Sequence, residues 1–100
     1  MVKHIVFWTL KSEAGGQTAQ QNALEIKARL EALNGRIPGL LKLEVGIDFG
    51  RTDASADVAL YSEFVDSAAL DVYRLHPEHL AVADFIGAVR LTRALVDYEV

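Results

Sequence analysis

The sequence predicts an α+β domain with one antiparallel four-stranded sheet and helices on a single face of it. Three observations carry that prediction. Four segments rich in β-branched and aromatic residues alternate in the manner of strands, helical periodicities fall between the first and second and between the third and fourth, and both faces of the first strand are apolar at its centre.

The first strand is "VKHIVFWTLK", Val2 to Lys11. Its period of two separates Val2, His4, Val6, Trp8 and Leu10 from Lys3, Ile5, Phe7, Thr9 and Lys11. A strand apolar on both sides expects cover on both. Helices supply one cover, and a second subunit is the expected source of the other.

"SEAGGQ" then reads as a turn-forming loop around Gly15 and Gly16. From about Thr18 to Leu33, the residues Ala19, Ala23, Ile26, Leu30 and Leu33 recur at steps of four and three, the stripe of an amphipathic helix. Asn34 and Gly35 supply its stop, and Pro38 forbids continuation. In "GLLKLEVGIDFG" the second strand places Leu41, Leu43, Val45 and Ile47 opposite Lys42, Glu44 and Gly46. The polar "RTDASAD" makes a long hairpin loop. It leads to "VALYSEFV", a third strand with Val58, Leu60, Ser62 and Phe64 on one face and Ala59, Tyr61 and Glu63 on the other.

Asp66 is an N-cap candidate because its carboxylate can accept from a free N–H of the first turn, and Val65 with Leu70 has the spacing of a hydrophobic staple. This helix must stop near Leu75. Pro77 disfavours helical angles at His76 yet suits the first position of a new helix, so His76 becomes the junction. The helix from Pro77 is expected to turn Leu80, Ala83 and Ile86 inward, with Val82, Phe85 and Val89 as further candidates. "LTRALVDYEV" closes the chain as the fourth strand, in which Asp97 and Tyr98 read as strand and dimer-contact residues. The resulting order is the split βαβ, or ferredoxin-like, plan. Its uncovered sheet face predicts a two-fold homodimer, packed sheet to sheet.

Composition bounds the function. One hundred residues, 51% of them hydrophobic, are enough for one core and too few for two. A net charge of -4 with scattered Lys and Arg argues against nucleic acid, which needs a basic face. No apolar run is long enough to span a membrane. With no cysteine and no signal-like segment after Met1, the expected location is cytoplasmic, without disulfides or thiolate metal sites.

The chemistry concentrates in "DVYRLHPEHLAV", Asp71 to Val82. Tyr73 lies one turn before the break and His79 near the start of the next helix, so both can face one cavity between helices and sheet. A neutral imidazole can take a proton at cellular pH, and a phenol can donate a hydrogen bond to a developing oxyanion. The pair suits enolisation beside a carbonyl, and equally the recognition of a carbonyl or phenol. Local satisfaction of backbone groups at a helix junction is the plainer role for either residue. His4 is a pocket-lining group or a core histidine, and Trp8 a wall residue that narrows the cavity. A zinc site from His4, His76 and His79 lacks a carboxylate at ligand spacing, so no metal and no cofactor is implied. His76 is expected to cap the second helix or face solvent.

"VKHIVFWTLK", "RIPGLLKLEVGID", "VALYSEFVDSAALDVYRLHPEHLAVADFI" and "LVDYEV", taken in order, resemble the stress-responsive A/B barrel (Dabb) domain across the whole chain. The resemblance implies a ferredoxin-like homodimer with a barrel-like core. The family includes stress proteins without a clear reaction and polyketide cyclases of the olivetolic acid cyclase type. In those cyclases a Tyr and a His of a "Y…HPxH" motif are catalytic, which implies Tyr73 and His79 here. A first-strand histidine of their pocket implies His4, and Val6, Trp8 and Leu60 join the expected lining for substrate. The first helix, however, contains no tyrosine that could line a pocket. Three functions follow as expectations: proton transfer on a small carbonyl or polyketide-like compound, a non-catalytic stress-response or small-molecule-binding dimer, and a cofactor-free or haem monooxygenase.

Overall fold

The computed structural model describes all of residues 1–100. The chain runs β1 (Val2–Leu10), β2 (Glu13–Ala14), β3 (Gln17–Thr18), α1 (Ala19–Glu31), β4 (Leu40–Ile47), β5 (Val58–Phe64), α2 (Ser67–Leu75), α3 (Pro77–Val89) and β6 (Arg90–Glu99). The main sheet has the order β4-β5-β1-β6, and every neighbouring pair is antiparallel. This is the ferredoxin-like plan predicted above. No helix is long and apolar enough to cross a membrane.

The core lies between the sheet and the helices. Val2, Val6, Trp8 and Leu10 of β1 and Val58, Leu60 and Phe64 of β5 are buried against Ile26 and Leu30 of α1 and Leu70 and Tyr73 of α2. The alternation read from β1 and β5 is therefore the one that folding uses. On the reverse of β1, Phe7 is 43% exposed, and Val96 and Tyr98 of β6 are exposed beside it.

Three local expectations are corrected. The "SEAGGQ" segment is not a plain loop but a miniature hairpin, β2 with β3, turned by Gly15 and Gly16 at φ of +61° and +79°. The buried side chain of Asn22 ties that hairpin to α1: its Nδ2 donates to Ala14 O at 3.2 Å, and its Oδ1 accepts from Gln17 Nε2 at 3.0 Å. Leu41 is 54% exposed instead of inward, because the β4–β5 register shifts between Leu40 and Lys42 and the extra residue breaks the alternation. Leu80, too, faces out, since the buried positions of α3 are Val82, Ile86 and Val89, with Ala83 and Phe85 half-buried.

Caps and a close approach set the helices that frame the site. Thr18 and Gln21 form a reciprocal capping box at the start of α1. Asp66 caps α2 by accepting from Ala69 N at 2.8 Å. Gly39 holds α2 close to the sheet: its φ is +82°, and a Cβ there would lie 2.5 Å from the Ala69 Cβ. His76 is the C-cap of α2 and the N-cap of α3, and its Nδ1 accepts from Glu78 N at 3.1 Å. The histidine beside the proline is thus the structural junction.

Candidate functional site

The α2–α3 junction brings two side chains together that the proline would otherwise separate. Tyr73, on the last full turn of α2, and His79, on the first turn of α3, have ring centroids 4.2 Å apart. Tyr73 also meets Phe64 of β5 edge-on at 5.1 Å and His4 of β1 at 6.1 Å. The four rings make a wall that runs from the sheet to the helices.

Beside this wall is a cavity of about 230 Å³. Tyr73, His79 and His4 line it, as do Val6, Trp8 and Leu60, so the six side chains singled out in the sequence converge on one space. Leu30 and Ile86 add apolar surface. Arg90 and Arg93, which no sequence pattern singled out, complete its polar side. Arg93 reaches the cavity because β6 pairs it with Trp8 across the β1 ladder, a register that only the folded sheet supplies.

Hydrogen bonds define the state of each ring. His79 Nδ1 lies 3.2 Å from the carbonyl of Arg74. A carbonyl only accepts, so Nδ1 carries the proton and Nε2 keeps its lone pair. His4 Nδ1 donates in the same way to Asp97 Oδ1, and Asp97 Oδ2 accepts from Arg74 Nη2 at 2.7 Å. Arg74 therefore supports both histidines, one through its carbonyl and one through its guanidinium and Asp97. Asp97 lies on β6, as expected of a strand residue, and is the cross-strand partner of His4 on the helix side of the sheet, turned away from the open face.

Burial determines the protonation of the pair. Desolvation lowers the His79 pKa from the usual imidazole value, a backbone bond to Arg74 opposes it, and His4, Arg93 and Arg74 add smaller positive fields. The ring is neutral at neutral pH. Desolvation also pushes the Tyr73 phenol well above its ordinary value, so it remains a protonated donor. The Tyr73 hydroxyl is buried without a hydrogen-bond partner in the protein, and so is Trp8 Nε1. Buried donors are normally paired, and two in the lining of one cavity are exceptions that call for a reason. A neutral base beside a protonated phenol can move a proton to or from a bound molecule, or simply hold an oxygen of it.

A small α+β domain with one open sheet face and a lined cavity under its helices belongs to the ferredoxin-like proteins. Within that class, residues 2–100 match the stress responsive A/B barrel domain, Dabb, and the chain belongs to this family. Among solved structures, a dimeric ferredoxin-like protein of unknown function from Bacteroides fragilis is 33% identical, with a TM-score of 0.81 over 99% of this chain and 95% of its own. A dimeric ferredoxin-like protein of unknown function from Jannaschia sp. CCS1 is 28% identical, with a TM-score of 0.75 over 99% and 98%. The hydroxynitrile lyase of Passiflora edulis is 25% identical, with a TM-score of 0.77 over 97% of this chain and 90% of its own. No curated protein matches the sequence.

Proposed function

We propose that this Dabb protein is a homodimer whose subunits each bind a small molecule between sheet and helices, and that Tyr73 and His79 exchange a proton with its carbonyl or hydroxyl group. The observation that carries the reading is the unpartnered Tyr73 hydroxyl, buried in the cavity lining and stacked beside a histidine whose Nε2 is free. His79 acts as the base, because burial keeps it neutral. Tyr73 donates to the oxygen on which negative charge develops, because burial keeps it protonated. His4, oriented by Asp97, lines the same space and fixes a second polar group of the ligand. Val6, Trp8 and Leu60 form the apolar walls. A polyketide-like carbonyl compound suits such a lining, and the lyase acting on hydroxynitriles with this fold is in keeping with chemistry at a small carbonyl-derived substrate.

The dimer forms through the reverse of the sheet, where Ile5, Phe7, Ala94 and Val96 make an apolar centre. Relatives of 33% and 28% identity that are dimeric support the homodimer, and the apolar centre of the open face is the surface that would form it.

A second reading keeps the cavity and drops the turnover. In it Tyr73 and His79 recognise an oxygen without moving a proton, and the protein is a small-molecule-binding or stress-response dimer. The two readings separate in one experiment: purified protein incubated with a panel of small β-dicarbonyl compounds in D₂O, with α-proton exchange followed by NMR. Exchange faster than buffer, lost in His79→Ala and lowered in Tyr73→Phe, supports catalysis. Binding shifts without exchange assign the protein to the binding reading.

A further inference from the structure

The charge around the cavity differs in sign from the charge of the whole protein. The chain carries a net charge of -4, yet no carboxylate lines the cavity, while two arginines and two histidines do. Asp97, behind the His4 wall, is already shared between His4 and Arg74.

Arg90 and Arg93 are also unoccupied. The arginines at positions 29, 36, 51 and 74 each hold an acidic partner, whereas neither Arg90 nor Arg93 has one within 4.0 Å. Neither guanidinium donates a hydrogen bond, as those of Arg36, Arg51 and Arg74 do, or stacks on an aromatic ring, as that of Arg29 does over Phe85. In an acidic protein, leaving these two cations unpaired at the rim of one cavity is the arrangement an anionic ligand would complete.

We propose that the ligand is a small monocarboxylic acid. Its carboxylate lies against Arg93 and Arg90, its apolar body rests between Trp8 and Ile86, and an oxygen on that body reaches Tyr73 and His79. The inference rests on the small-molecule reading above and adds the class of compound. The volume sets its size: about 230 Å³ is below the range of drug-sized sites, so a six-membered ring or a short acyl chain is the appropriate body. Arginine suits this role because its planar fork pairs with both oxygens of a carboxylate.

Trp8 is the single tryptophan and stands in the cavity wall, so its fluorescence reports occupancy directly. The probes are cyclohexanecarboxylate and cyclohexanecarboxamide, which are nearly isosteric, transparent at tryptophan wavelengths, and different in charge. The acid is expected to bind the unmodified dimer at least about tenfold more tightly than the amide, with an advantage that shrinks as salt rises. In the double variant Arg90→Gln, Arg93→Gln, checked for an unchanged melting profile, both probes should bind as the amide does to the unmodified protein. Equal binding of acid and amide to the unmodified protein overturns the acid inference and leaves the cavity reading standing. An advantage for the acid that survives in a folded double variant overturns the assignment to these arginines. If neither probe changes Trp8 emission or the NMR shifts of cavity residues, the small-molecule reading itself fails, and the acid inference with it.

Discussion

The two faces of the sheet are made from the same strands and have opposite tasks. On β1, Val6 is 1% exposed and its neighbour Phe7 is 43% exposed, although both are large and apolar. The helix face is closed by Ile26, Leu30 and Phe64 except at the cavity, where polar groups gather, and along β6, where Leu95 opposite Val6 is exposed. The open face has polar groups toward both ends, with Lys3 and Lys42 5.7 and 5.6 Å from the Tyr61 ring at one and Thr9 hydrogen-bonded to Thr92 at the other, and an exposed apolar centre between them. Hydrophobicity alone is therefore ambiguous on this protein. Most of the apolar surface on the helix face is buried within the chain, whereas the apolar centre of the open face stays exposed.

The edges of the sheet differ in the same sense. Along β4, Asn34 exchanges two hydrogen bonds with Leu43, at 2.8 and 3.0 Å, and Glu31 and Lys27 take the N–H and C=O of Val45. Those bonds blunt a strand edge that could otherwise pair with another chain. They also hold the Glu31 carboxylate below its ordinary pKa, through Lys27 first and the Val45 amide second. The β6 edge has no such cover beyond its termini, and its residues are exposed from Leu91 onward.

The largest expected effect breaks the helix face. Phe64→Ala empties a fully buried site that packs on Tyr73 and His4, and should cost about 3–5 kcal/mol in urea unfolding. The same truncation at Phe7 should cost far less in the isolated subunit. Next comes the open face: Phe7→Lys or Ile5→Lys puts a charge into the proposed sheet-to-sheet contact and should convert the dimer to folded monomer by light scattering, a loss of roughly 3 kcal/mol or more of association energy. A dimer that persists in both variants sinks that interface.

A smaller effect sharpens the cavity. The folded-state pKa of His79 is lowered, so the unfolded chain binds the extra proton first. Stability is then full above pH 6.5, the ordinary imidazole value, and declines as pH falls from there toward the lowered folded value. His79→Gln should remove that part of the acid-side slope, seen as converging Tm values near pH 8 and diverging ones near pH 5, while leaving the fold intact. In an active protein the same titration gives kcat/KM an acid limb below pH 6.5. The smallest change is Tyr73→Phe. Removing a buried hydroxyl that has no partner should leave the free protein as stable as before or raise it by about 1 kcal/mol, while ligand affinity or exchange falls. A destabilisation of several kcal/mol would make Tyr73 a structural donor instead.

Much of this was legible in the sequence, and the exceptions have local causes. The alternation of β1 and β5, the Asp66 cap and the Pro77 break act over a few residues, so the chain itself announces them. Leu41 escaped because a one-residue bulge shifts its phase, and Leu80 because the apolar residues of α3 are too numerous to mark one stripe. The six expected lining residues do share one cavity, while their roles stay with the experiments above.

By itself, then, the sequence determined the order of the main-sheet strands and the helices, the ferredoxin-like plan, the α2–α3 junction at His76 and the membership of Tyr73 and His79 in one neighbourhood. Only the tertiary structure decided that Asp97 orients His4, that Arg74 serves both histidines, and that Arg90 and Arg93 stand at the cavity without partners. Turns, caps and strand faces are decided by near neighbours along the chain. Which β6 side chains meet β1 depends on a register between strands far apart along the chain, such as Trp8 with Arg93, and no local periodicity records that.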